Sequence, residues 1–203
     1  MFTASTARRD LANYRAKGVG TLERRMVASV VAAGVDGRSV LEIGGGVGAL
    51  QAELLAAGAS TGEIVELVAA YQPYVRELAA EKGLTERVSF RVADVLEEPG
   101  SASPADVVVL NRVVCCSPDG VELTSTASRL ARRTLVLSYP RDRFWVRLGI
   151  GAINLGQRLL GRSFRAFVHP PAVLRAAAEA EGLHLRELGG GSLWEFSTME
   201  RVG

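Results

Sequence analysis

An α/β fold, a mostly parallel sheet covered by helices on both faces, is predicted by three observations. Short apolar, β-branched runs alternate with helical patterns from residue 39 to residue 138, the signature of strands joined by right-handed helical crossovers. At 39–57 a strand runs directly into a glycine-rich turn and then a helix. The last quarter changes character, ending in two strands around Gly189-Gly190-Gly191 that predict a closing hairpin.

The elements follow in order. Residues 6–16 and 20–33 predict helices hinged at Lys17-Gly18; in the second, Leu22, Met26, Val27, Val30 and Val31 recur at three- and four-residue spacing and Gly34 ends it. Strand 39–43 (SVLEI), helix 47–57, strand 63–67 (EIVEL), helix 70–82 and strand 87–92 (RVSFRV) come next. Strand 105–110 (ADVVVL), helix 119–132 and strand 134–138 (TLVLS) complete the alternation. Residues 144–160 predict a long helix, and Pro170-Pro171 open another that runs to about Ala180, because proline suits a first helical turn that needs no N–H donor. Strands 183–188 and 192–198 close the chain. With no repeat, low-complexity tract or linker, 1–203 reads as one domain: a helical cap (1–35), a core (36–139), a helical insertion (140–169) and a closing helix with hairpin (170–203).

Composition excludes several classes. With 203 residues, 48% hydrophobic and 23% charged, the chain can bury a substantial core and is neither disordered nor fibrous. Its 24 basic and 22 acidic residues leave a charge of +2, far from the excess of a dedicated nucleic-acid binder. The only cysteines, Cys115 and Cys116, are neighbours, which argues against a framework disulfide and for a reducing compartment. The first 18 residues hold no apolar run of signal length, and Arg147, Gln157 and Arg158 break the apolar stretch 144–160 below spanning length. A cytoplasmic protein without stable membrane insertion is therefore expected, monomeric or homodimeric. No His/Cys/Asp cluster has ligand spacing, so no metal is expected.

The stretch Val40-Leu41-Glu42-Ile43-Gly44-Gly45-Gly46-Val47-Gly48-Ala49 carries the chemistry. Glycines at 44, 46 and 48 permit a sharp turn, let the backbone approach a ligand, and aim helix N–H groups at it. Two cofactor classes fit. Gly44-x-Gly46-x-x-Ala49 with Glu66 at the end of the next strand satisfies a dinucleotide fingerprint, and so an NAD-dependent oxidoreductase. Glu42-x-Gly44-x-Gly46-x-Gly48, followed by Glu66 and then Asp94 at two further strand ends, resembles the class I S-adenosylmethionine-dependent methyltransferases. Three acids around the loop suit a cationic sulfonium, whereas a pyrophosphate disfavours Glu42.

That resemblance covers residues 20–139 and implies a Rossmann-like, seven-stranded sheet in the order 3-2-1-4-5-7-6 with an antiparallel last strand. It also implies that Gly44, Gly45, Gly46 and Gly48 pass the methionyl group, that Glu66 with Leu67 takes the ribose end, and that Asp94 with the Val95 backbone holds adenine. Asn111 and Arg112 would border both the methionyl group and the acceptor, and Tyr14, Arg15 and Lys17 would cap the cofactor. A non-catalytic S-adenosylmethionine-binding protein is a further reading, because no residue stands out as a base.

On the acceptor side, methyl transfer is an in-line displacement that needs alignment and, for a protonated acceptor, a base. Candidates are His169 in FVHPP, Tyr139 in LSYPRDR, Arg112, and, weakly, Cys115; His184 reads as structural. Residues 141–165 hold six arginines against one aspartate, beside a broad apolar face of Phe144, Trp145, Val146, Leu148, Ile150, Ile153, Leu155, Leu159 and Leu160. A lid over a small lipophilic, anionic acceptor explains both faces, in competition with a helix packed on the core and with a peripheral membrane contact. The order of the tail is similar to small bacterial methyltransferases of unassigned substrate and to magnesium-protoporphyrin methyltransferases. No Asn/Asp-Pro-Pro-Tyr motif follows the fourth strand, where Asn111-Arg112-Val113-Val114 stands, so no nucleic-acid acceptor is expected.

Overall fold

A computed structural model describes residues 3–98 and 100–202. Helices α1 (Ala4–Lys17) and α2 (Thr21–Ala32) precede β1 (Ser39–Ile43), α3 (Ala49–Ala56), β2 (Thr61–Glu66), α4 (Gln72–Glu81) and β3 (Val88–Val92). The chain continues through β4 (Ala105–Leu110), α5 (Gly120–Leu130), β5 (Ala131–Pro140), α6 (Phe144–Leu159), α7 (Pro171–Ala180), β6 (Leu183–Gly190) and β7 (Trp194–Arg201). The strands form one sheet in the order β3-β2-β1-β4-β5-β7-β6, with β7 antiparallel to both neighbours, as expected.

Strand alternation divides the core. Val40, Val107, Val109 and Val136 face Leu11, Met26, Val30, Leu50, Leu54 and Leu78 from α1 to α4. Leu41, Val108, Leu110, Leu135 and Leu137 face the other way, onto Leu123 and Ala127 of α5 and Leu174 and Ala178 of α7. Parallel pairing of Ser39 with Thr61 through Ile43 with Val65, and of Val40 with Val107, brings the carboxyl ends of β1, β2 and β4 to one edge. That edge is where a doubly wound sheet builds its crevice.

Two elements differ from expectation. β5 begins at Ala131 and runs to Pro140, longer than 134–138, because it is paired on both sides, with β4 and β7. Only the last of the three glycines lies in the hairpin turn, where the Gly191 N–H donates to the Trp194 carbonyl (2.7 Å). Gly189 and Gly190 are strand residues paired with Phe196 and Glu195, and a Cβ on Gly189 would lie 2.2 Å from the Phe196 ring. Glycine is used there for close approach, and the chain reverses after it.

Candidate active site

β1 delivers Glu42 to the base of the glycine loop. Gly44 (φ +69°) and Gly48 (φ +76°) take left-handed conformations, and added Cβ atoms would come 2.5 Å from Val113 and 2.8 Å from Ile64. The Gly44 N–H donates to the Val65 carbonyl (2.7 Å), which folds the loop over the end of β2. Beneath it, Glu42 is 3% exposed and accepts the Gln51 N–H in the first turn of α3 (3.1 Å). Burial pushes its carboxyl up to about 8, with the Gln51 N–H pulling the other way and the Glu66 charge adding to the rise.

Glu66 ends β2 and clamps the loop from the side. One carboxylate oxygen accepts the Gly46 N–H (3.1 Å) and the other the Val68 N–H (3.0 Å). Burial raises its pKa, opposed by those N–H groups. The next side chain, Leu67, is 64% exposed. Asp94 follows β3 and accepts the Leu96 N–H (2.9 Å), while Ala93 N–H donates to the Glu66 carbonyl (3.3 Å). Glu42, Glu66 and Asp94 thus stand at three neighbouring strand ends, with Val95 beside Asp94.

A cavity of about 720 Å³ opens above the loop, a volume suited to a nucleoside-sized ligand. Gly44, Gly45, Gly46 and Glu42 form its floor, and Tyr14, Lys17, Glu23, Asn111 and Arg112 are among its walls. Tyr14 donates to Glu53 of α3 (2.7 Å) and Tyr71 donates to Asp10 (3.2 Å), which fixes α1 across the loop. Arg15 does not join this wall: it pairs with Glu77 and Glu81 of α4.

The far rim is a polar network at the end of β4. Asn111 accepts from Ser138 Oγ (2.9 Å) and donates to Glu23 Oε1 (3.4 Å), and the Arg112 guanidinium pairs with Glu23 (3.0 Å) and lies over the Trp194 ring (5.0 Å). Arg112 has φ +60°, the one positive value at a non-glycine among the described residues, sustained by its N–H bond to Ser138 Oγ (2.8 Å). Cys115 is buried behind it with its thiol on the Arg112 carbonyl (3.4 Å); the neighbouring Cys116 thiol and burial push that thiol up, away from nucleophilic use.

His169 and Tyr139 lie apart from this cavity. The His169 Nε2 faces the Ser117 carbonyl (3.0 Å), and the ring packs over Gly120 at the start of α5. Tyr139 is fully buried, and its hydroxyl bonds Ser197, with Arg175 at 3.3 Å and Glu195 at 3.4 Å. Residues 140–169 do not line the cavity; the insertion returns by a bond from Phe167 N–H to the Cys115 carbonyl (2.8 Å).

Reading the residues alone missed Glu23, Asp10, Glu53 and Gln51. Glu23 was the most legible: an acid in the first turn of α2, on the same face as Met26 and Val30, three and seven residues further on.

No protein-family model matches the sequence, and no curated protein does. Solved structures do. Magnesium protoporphyrin IX methyltransferase from Synechocystis PCC 6803 with bound SAH superposes with a TM-score of 0.70 at 21% identity, covering 97% of this chain and 94% of that one. A TehB-like SAM-dependent methyltransferase from Corynebacterium glutamicum gives 0.67 at 14% identity over 98% of both chains. An O-methyltransferase family 2 protein from Planctomyces limnophilus in complex with apigenin gives 0.72 at 18% identity, covering all of this chain and 62% of that one. Together with the strand order and the glycine loop, these likenesses give the chain the class I methyltransferase fold.

Proposed function

We propose that the chain is a methyltransferase that uses S-adenosylmethionine to methylate a small acceptor. The observation that carries this reading is the pair of carboxylates around the loop: Glu66 bonded to the Gly46 and Val68 N–H groups, and Glu42 sealed beneath. A diphosphate brought against the loop would meet the Glu66 carboxylate and hold Glu42 in its protonated form, which counts against the dinucleotide reading, whereas a cation favours the ionised form of both acids. A sulfonium and an ammonium are attracted by them. The cradle also fits in shape, since a Cβ at Gly44 or Gly48 would collide with Val113 or Ile64.

Bound S-adenosylmethionine supplies an electrophilic methyl group. The chain's own residues then have separate tasks. Glu66 accepts the ribose hydroxyls with lone pairs left free by its two N–H bonds. Leu67 offers an apolar face to the base, and Asp94 with the Val95 backbone holds its edge. Glu42, Gly44, Gly45, Gly46 and Gly48 receive the methionyl end, and Tyr14 and Lys17 close the side from α1. Asn111 and Arg112 orient the acceptor for in-line displacement, so that most of the rate gain is positional.

With Arg112 paired to Glu23, Lys17 and Arg24 are the cations left on a wall that also carries Asp10, and they support an acceptor with an anionic group on a lipophilic body. No proton transfer is assigned to His169 or Tyr139, because the polar atoms described above are committed to protein partners. The test is product formation from methyl-labelled S-adenosylmethionine with a panel of lipophilic carboxylates, phenols and amines. Label in an extracted acceptor, lost in Glu66→Ala, is the expected result; binding of the cofactor without transfer to any member would favour a non-catalytic binder.

A further inference from the structure

Helix α6 is amphipathic with its apolar side turned outward. Phe144, Leu148, Leu155 and Leu159 are 76%, 72%, 58% and 79% exposed, while Val146 is the helix's one buried residue. At 3.6 residues per turn the four fall within about 60° of arc, and Trp145 and Ala152 widen the stripe to about 100°. Arg147 and Arg158 flank it on one side, about 40–60° from Phe144. Arg143 stacks on Trp145 at 5.1 Å at the start of the helix, and Arg162 and Arg165 follow its end. Among the described residues, Arg158, Arg162 and Arg165 have no carboxylate partner, so the surface around the stripe is positive.

We propose that α6 and its flanking arginines form a docking surface for an anionic lipid bilayer, with the helix lying in the interface. The apolar stripe enters the headgroup boundary and the arginines meet the anionic headgroups, the division of labour of an interfacial helix. No helix of the described residues is long and apolar enough to cross a membrane, so the contact is peripheral. A second copy fits poorly. The helix has 16 residues, and at 1.5 Å per residue and a width of about 10 Å its stripe covers about 240 Å², well below the roughly 800 Å² per partner of a stable interface. Two such stripes would also oppose a charge of +5 with another +5, counted over 141–165.

The experiment is flotation of the full chain with vesicles of phosphatidylcholine alone or mixed with phosphatidylglycerol, read with and without added salt. The expected result is binding to the mixed vesicles that falls as salt rises. Leu148→Glu/Leu155→Glu should weaken it by about tenfold or more. Arg158→Glu and Arg162→Glu should each weaken it by at least about fivefold. Because all four positions are exposed, circular dichroism should show the wild-type fold in each variant. Wild-type chain that stays unbound with mixed vesicles, binds neutral vesicles equally well at all salt concentrations, or binds mixed vesicles no better than the leucine variant would overturn the proposal. So would a vesicle-independent dimer that the leucine variant dissociates, if the wild type does not float.

Discussion

Glu42 shows how burial sets the chemistry of the loop. Its carboxyl rises from an ordinary value of 4.5 to about 8 because the loop, Ile64 and Gln51 exclude water around it. Between those values the folded chain holds a proton that the unfolded chain has released. The stability this group contributes is therefore fully present below 4.5 and lost as pH rises through about 8. Urea midpoints measured from pH 5 to pH 9 should fall for the wild type and fall less for Glu42→Gln; equal slopes would contradict the burial argument. A cation placed above the loop reverses the bias, so binding of S-adenosylmethionine near pH 7 should release up to one proton, read by calorimetry in two buffers of different ionisation enthalpy. Glu66 acts with both oxygens at once. Glu66→Ala should weaken S-adenosylhomocysteine by about fivefold to a hundredfold, the worth of one or two charged hydrogen bonds, and an unchanged Kd would remove Glu66 from the site.

At the level of elements, the strand–loop–helix unit was readable because each part is local. The apolar strand, the glycine spacing and the helix after it need no distant partner, and Gly44 and Gly48 sit where their left-handed φ values require glycine. Gly48→Ala must adopt φ +76° and also displace Ile64, whereas Gly37→Ala, at φ +68°, meets nothing within 4 Å. Both should lower the melting temperature, by about 2–4 °C for each kcal/mol in a chain of this size, with Gly48→Ala the more damaging of the two. Equal losses would mean that the loop relaxes around the added methyl group. The rim was not readable, because Glu23 meets Asn111 across 88 residues of sequence and nothing local marks that pairing. The glycine run at 189–191 misled in part for the same reason: Gly189 answers to Phe196 on the facing strand, and only Gly191 lies in the turn. His169 and Tyr139 looked available in sequence because their partners, Ser117, Ser197 and Arg175, are likewise distant.

In the whole molecule, α2 ties the two halves together. Ser29 bonds Thr198 of β7 and Glu187 of β6, Arg25 donates to the Gly190 carbonyl and Arg186 to the Ala32 carbonyl, so the cap rests on the closing hairpin as well as on the loop. Cap, sheet and hairpin should therefore unfold in one transition, with far-ultraviolet dichroism and tryptophan emission, the latter including Trp194 on β7, giving the same midpoint; a cap that melts first would separate them. The parallel sheet was legible because strand–helix alternation fixes it, and its order followed from the family resemblance of the glycine loop and its acids, while the outward turn of α6 was not legible, since amphipathic spacing cannot say which face meets the core. The charge of +5 in residues 141–165 exceeds the whole-chain +2, leaving the remainder net acidic at −3, so the positive charge is concentrated on and beside α6.

The crevice is assigned to a cofactor that joins adenosine to a methionyl-type amino acid, not to a dinucleotide. Calorimetric titration of the full chain with S-adenosylhomocysteine, with NADH as the parallel ligand, tests it most directly. Micromolar binding of the first and none of the second is expected. Binding of NADH alone would contradict it and leave Glu42 and Asp94 as structural acids.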